Sequence, residues 1–262
     1  MKVCFFARLR DPHLLRKMSF YADDIRILEE LGHEVFPVTD ISKIPFRCDL
    51  YFVWWYGWGA LPLLLAKVLN RPKVVAGALH YEEPRYGYFG RPFYHRWMTR
   101  WSVRNADAVL AISRIELEGV KKIGARHPVL AYLCASNAAP VAAWSGRENL
   151  VFSIGHMYQR ASIDRKGFDN VVRAIPLVAQ TIPDVRFVMA GTVGGEFYLD
   201  RLAESLNVSG RVTFPGQIDN EARSKYLSQA RVLAQPAEFE GFGLAQLEAM
   251  IHGLPVVTSP AG

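Results

Sequence analysis

The stretch Pro236–Gly262, P-A-E-F-E-G-F-G-L-A-Q-L-E-A-M-I-H-G-L-P-V-V-T-S-P-A-G, sets a carboxylate, Glu240, directly before a Gly-Phe-Gly turn. A second carboxylate, Glu248, follows eight residues later on the helical stretch that this turn opens. At about 100° per residue the two side chains lie roughly 80° apart around a helix axis, so both can face one ligand. The glycines let backbone approach closely, and the first helical turn leaves its N–H groups without intrahelical partners. The amides of Phe242, Gly243 and Leu244 thus offer a seat for a phosphate, whereas ionised carboxylates, which only accept hydrogen bonds, suit hydroxyls. Phosphate seat and hydroxyl acceptors together suggest a sugar nucleotide. On spacing alone, the other reading is an ordinary helix with solvated glutamates.

Outward from this stretch, short apolar runs alternate with helical periodicity, which predicts an α/β chain of parallel sheets and crossover helices. The runs are 2–7, 33–38, 50–55, 73–79, 107–113 and 128–134 in the first half, then 150–155, 185–191, 211–214, 231–235 and 255–259. Between the first two, Tyr21, Ile25, Leu28 and Leu31 keep helical spacing, with Gly32 as a stop; later helices carry Val171, Ile175 and Val178, then Leu199, Leu202 and Leu206. Two doubly wound Rossmann-like domains follow, 1–140 and 141–262. The small-residue stretch 135–146, A-S-N-A-A-P-V-A-A-W-S-G, reads as their linker. Ligands of such folds bind at the carboxyl ends of strands, here expected in the cleft between the domains.

Charge divides at the same place. Residues 1–148 carry 21 Lys and Arg against 14 Asp and Glu, net +7, while residues 149–262 carry 10 against 11, net −1. The basic half is the one to meet an acidic partner. Cys4, Cys48 and Cys134 have no metal-ligand spacing and read as reduced core thiols. The chain opens on a strand without a cleavable signal pattern, and no apolar run reaches membrane-spanning length, so a cytoplasmic protein is expected.

Three further segments carry candidate sites. After Gly155, H-M-Y-Q-R-A-S-I-D-R-K-G delivers Arg160, Arg165 and Lys166 to the end of a predicted strand, where cations can clamp a diphosphate. A merely solvated helix start is less attractive, because cations disfavour that end of the helix dipole. The loop W-W-Y-G-W-G, Trp54–Gly59, offers Tyr56 and Trp58 to stack on a sugar ring, with core burial the alternative, above all for Trp54 and Trp55. Between Arg85 and Arg104, Arg96, Arg100 and Arg104 run beside Phe93, Trp97 and Trp101 at the same spacing. The favoured reading packs these aromatics on the sheet and leaves the arginines in water; the functional one is a helix on an anionic membrane. No recognition motif supports nucleic-acid binding.

The Glu-x7-Glu spacing with E-G-F-G in front, L-E-A-M behind and G-L-P-V-V after it resembles the signature of retaining family-4 glycosyltransferases of the GT-B fold. The resemblance extends to K-G-F-D (166–169), V-R-F-V-M-A-G (185–191) and R-V-T-F-P-G (211–216), and weakens in the first half. It implies a transferase that moves a hexose from a UDP- or GDP-linked donor to a hydroxyl of a cell-surface glycan or lipid-linked precursor. It further implies catalysis without metal or cofactor; a place at the inner face of the membrane follows only from the functional reading of the arginine–aromatic helix. The sequence has no Asp-x-Asp. By position, Glu240 would contact the donor sugar, Glu248 the ribose hydroxyls and Lys166 the diphosphate. The arginine that relatives carry after the glycine is His156 here, so that role passes to Arg160 or Arg165. His80, after the run 73–79, resembles the histidine that faces donor sugar and acceptor; a structural histidine is the other reading. The loop A-R-L-R-D-P lacks the paired glycines many relatives use near the phosphates, so the roles of Arg8 and Arg10 stay open. Relatives continue past S-P-A-G with further elements, so the resemblance also implies that the second domain is incomplete at Gly262. A truncated nucleotide-sugar-binding protein without turnover is the competing class, and an epimerase is disfavoured by the signature.

Overall fold

The computed structural model describes residues 1–83, 85, 87–135, 144–157, 159–192 and 198–260. Residues 136–143 of the expected linker, and Ala261 and Gly262 of the S-P-A-G loop, lie outside them. The chain divides into two compact units, Met1–Ser136 and Asn137–Gly262, against an expected border of 140/141.

The first unit runs β1 (Lys2–Phe6), α1 (Leu14–Lys17), α2 (Ser19–Glu30), β2 (Glu34–Val38), β3 (Leu50–Trp54), α3 (Ala60–Val68), β4 (Lys73–Gly77), α4 (Phe93–Asn105), β5 (Ala108–Ala111), α5 (Arg114–Ile123) and β6 (Pro128–Leu130). Its strands are parallel in the order β2-β1-β3-β4-β5-β6. Period-two alternation splits the strand side chains between two layers. Cys4, Phe6, Tyr51, Val53 and Val75 join one core cluster with Leu63, Val103 and Val120 from the helices. Phe5, Phe52 and Trp54 turn to the other face, where Phe5 stacks on Phe52 and meets Tyr21 of α2 edge-on. Leu31, expected on the α2 stripe, lies past the helix end and is exposed. Cys4 and Cys48 are buried, but Cys134 is exposed rather than a core thiol.

The second unit runs β7 (Leu150–Ile154), α6 (Arg160–Lys166), α7 (Phe168–Thr181), β8 (Arg186–Ala190), α8 (Tyr198–Ser205), β9 (Val212–Gly216), α9 (Asn220–Gln229), β10 (Val232–Gln235), α10 (Leu244–Ile251) and β11 (Val256–Thr258). All described pairings are parallel, in the order β11-β10-β7-β8-β9. Phe187 and Met189 of β8 pack with Phe168, Val172 and Ile175 on one face, while Val188 and Ala190 pack with Leu227, Leu233 and Ala249 on the other. Each predicted run therefore contains a strand. Strand order reverses between β1 and β3 in one unit and between β7 and β10 in the other, which are the places where doubly wound sheets open a ligand crevice. Among the described residues no helix is long and apolar enough to cross a membrane.

Where β3 ends, the Trp54 indole donates to Asp24 Oδ2 at 2.8 Å. Burial pushes the Asp24 carboxyl up to about 6; the indole opposes this and Asp23 adds to it. A folded value above the ordinary one stabilises the fold at low pH, and the contribution is lost as pH rises from about 4 through about 6. The slope is at most roughly 1.4 kcal/mol per pH unit. Urea midpoints across that window should fall with pH in the native chain and stay flatter in Asp24→Asn; parallel curves would remove the assignment.

Candidate functional site

In the second unit, α6 ends on Gly167, which opens α7 with φ +67°. A Cβ there would lie 2.0 Å from the carbonyl oxygen of Pro236, so only glycine lets the α6–α7 junction close onto the segment leaving β10. Two further bonds fix this approach: Glu238 N–H donates to the Arg165 carbonyl at 2.9 Å, and Arg165 Nη1 donates to the Phe239 carbonyl at 3.2 Å. The result is an ion pair between Lys166 Nζ and Glu240 Oε2, residues 74 apart in sequence, each side chain about 15% exposed (14% and 16%). Glu240 Oε1 also accepts from Gly241 N–H at 3.2 Å. The first two predicted donor-site groups are thus one cluster at the carboxyl edge of β7 and β10.

His156 completes this edge after β7. Burial lowers its pKa below the ordinary 6.5, and the positive charges of Lys166 and then Arg165 act in the same direction. An imidazole thus stands in the position where the resemblance implies a guanidinium. Arg160 does not join the cluster: it pairs with Asp164 at 2.6 Å and stacks on Tyr198 at 3.8 Å.

Phe242 and Gly243 lead into α10, which Gly243 caps with φ +88°, and Leu244 is its first residue. The first-turn amides of a helix have no intrahelical acceptor, and Gly243 and Leu244 stand where the anion seat is expected. Glu248 lies one face further along α10 and is 7% exposed. Arg223 Nη1 of α9 donates to both of its carboxylate oxygens at 3.0 Å. Sequence reading missed Arg223. Its signal is nonlocal, since the partner sits on another helix, 25 residues away.

In the first unit, His80 is buried at 7% exposure beyond the carboxyl end of β4, and its carbonyl accepts from Tyr88 N–H at 2.9 Å. Trp58 is 38% exposed and carries the Arg8 guanidinium 3.7 Å over its ring, at the β1/β3 reversal. Tyr56 corrects the expectation of an exposed stacking ring. It is 4% exposed and donates to Glu116 Oε1 at 2.7 Å. The chain takes a left-handed step at Trp55, φ +73°, and Tyr56 enters the core. Glu116 also accepts from Ile112 N–H at 2.7 Å, so this buried carboxylate ties the loop after β3 to that after β5.

Residues 140–262 match the family model described as glycosyl transferases group 1. Among curated relatives, a GDP-mannose-dependent monoacylated alpha-(1-6)-phosphatidylinositol monomannoside mannosyltransferase of Corynebacterium glutamicum is 33% identical over 107 residues, 38% of this chain and 28% of that protein. A phosphatidyl-myo-inositol mannosyltransferase of Propionibacterium freudenreichii is 32% identical over 117 residues, 44% of this chain and 27% of that protein. The matched stretch thus spans less than a third of these relatives. Among solved structures, Anabaena HepE in complex with UDP and glucose covers 100% of this chain and 81% of its own at TM-score 0.71 and 18% identity. Sucrose-phosphate synthase from Thermosynechococcus elongatus covers 100% and 82% at TM-score 0.74 and 18% identity. At these identities the likeness shows the fold, two parallel-sheet α/β units as in GT-B glycosyltransferases. The unit that holds Lys166, Glu240 and Glu248 is thus the part of the chain that is similar to the glycosyl transferases of group 1.

Proposed function

We propose that the protein is a retaining hexosyltransferase that uses a UDP- or GDP-linked sugar and needs no metal. The observation that carries this reading is the Lys166–Glu240 pair set beside the glycine turn of α10 at the β7/β10 reversal. A sugar diphosphate presents an anion and a hydroxylated ring side by side. Lys166, with Arg165 next to it, meets the phosphate oxygens, and Glu240 accepts from the hexose hydroxyls. The Phe242–Leu244 amides add a fixed dipole at the phosphate, where negative charge grows as the diphosphate departs. Glu248, held by Arg223, accepts from the ribose hydroxyls. His156, neutral, donates from one ring nitrogen without adding charge. In the first unit His80 faces the sugar and acceptor, and Trp58 serves as an acceptor platform.

The relatives' printed names and the HepE complex support a nucleotide-sugar donor and a glycan or lipid acceptor. We propose an acceptor hydroxyl on a cell-surface glycan or its lipid-linked precursor, reached from the cytoplasmic side. Incubation with UDP-glucose or GDP-mannose and a lipid-linked acceptor tests this, with the product anomer read by NMR. The expected product keeps the donor's anomeric configuration, and Glu240→Ala lowers turnover by a factor on the order of 100. An inverted product, or an unaffected Glu240→Ala, would overturn the mechanism.

A further inference from the structure

The α3–α4–α5 layer of the first unit carries a second chemistry. Strands β3 to β6 advance in one direction, so right-handed crossovers place these three helices on one face, and α4 packs against both neighbours. The small residues Thr99, Ser102 and Val103 turn inward and are buried. The opposite face of α4 therefore exposes large rings, against the expectation that its aromatics pack on the sheet. Phe93 is 77% exposed and Trp97 65%, and only Trp101 packs against the core. Beside Trp97 and Trp101 a groove of about 460 Å³ is lined by these two rings and by Arg100, Arg104, Asn105 and Arg126.

Among the described residues, no acid pairs with Arg100, Arg104 or Arg126. Lys67 adds a fourth positive charge, donating to Asn105 Oδ1 at 2.7 Å and lying 5.8 Å from the Trp101 ring. The acids of neighbouring elements are engaged elsewhere: Asp107 by Lys73, Glu118 by Lys121 and Glu82 by Lys122. Four cations kept close without a counter-charge repel one another, and an anion in the groove relieves this. A small soluble anion needs no apolar rim, yet the surround is apolar, with Val68 75% and Leu64 47% exposed on α3 and Ile115 45% on α5.

We propose that this groove holds the phosphate of an anionic phospholipid head group, with Trp97 and Phe93 seated at the membrane interface. Indoles favour that boundary, and arginine forks suit phosphate oxygens. The inference deepens the membrane-side reading above but rests on none of the donor-site assignments.

The test is cosedimentation of the full chain with vesicles of phosphatidylcholine, with and without phosphatidylglycerol, alongside nucleotide binding by the same preparations. The chain is expected on the anionic vesicles and not on the neutral ones. Each arginine removed should weaken binding about fivefold, so Arg100→Gln, Arg104→Gln and Arg126→Gln together should cost on the order of 100-fold. Trp97→Ala should weaken binding at low and high salt alike, and UDP or GDP affinity should be unchanged in all variants. Equal binding to both vesicles, or a triple variant that binds like the native chain, would overturn the proposal. So would full release from anionic vesicles by millimolar glycerol 3-phosphate at constant ionic strength, which would make the groove a soluble-phosphate site. A preparation that binds vesicles but no nucleotide would instead count against the donor site alone.

Discussion

Gly191→Ala is expected to destabilise the second unit by about 4 kcal/mol or more, the range of a forced backbone clash. Gly191 follows β8 with φ +138°, donates to the Gly216 carbonyl at 2.8 Å, and lies so close to the end of β7 that an added Cβ would fall 1.7 Å from the Gly155 carbonyl oxygen. Neither partner can withdraw cheaply. Gly155 N–H is bonded to the Ala190 carbonyl at 2.9 Å, and its Cα packs near Phe168 in the core. The contact also sits under the loop that carries His156. Thermal unfolding should show a loss of roughly 10 °C or more for the transition of this unit. Gly210→Ala is the control, since a Cβ there meets nothing within 4 Å. If both variants melt within a couple of degrees of the native chain, the backbone packing at this edge is wrong.

Lys166→Ala is expected to weaken UDP or GDP about 100-fold while changing the affinity of the bare nucleoside less than about twofold. The ammonium is largely withdrawn from solvent beside Glu240, where charge interactions are poorly screened. Removing it takes one cation from the diphosphate and leaves Glu240, an anion, facing the same phosphates. Loss of one member of such a pair costs about 2–5 kcal/mol. Calorimetry with the diphosphate and the nucleoside on both proteins separates the outcomes. Equal weakening of the two ligands would take Lys166 out of the clamp.

The fold was legible because each strand is a short apolar run closed by a polar or glycine boundary, and burial on both sheet faces demands that pattern. Lys166, Glu240 and the α10 turn were legible because their motifs are local. What escaped is what tertiary contact decides. Arg223 reaches Glu248 from another helix, and Glu116 ties two loops, through pairings that no spacing announces. Tyr56 resembles its loop neighbours in sequence, but the left-handed step at Trp55 turns it inward. On α4, periodicity tells which residues share a face and not which face meets the sheet; the small residues took the inner side because they allow close packing there. Arg160 was offered to a phosphate and instead closes an i,i+4 pair with Asp164.

The second unit is expected to seat a nucleoside diphosphate on Lys166 and the opening turn of α10. Calorimetric titration of the full chain with UDP, GDP and ADP in metal-free buffer tests this most directly. Micromolar binding of UDP or GDP, lost in Lys166→Ala and weakened in Glu248→Ala, is the predicted result. A folded chain that binds none of the three would contradict it.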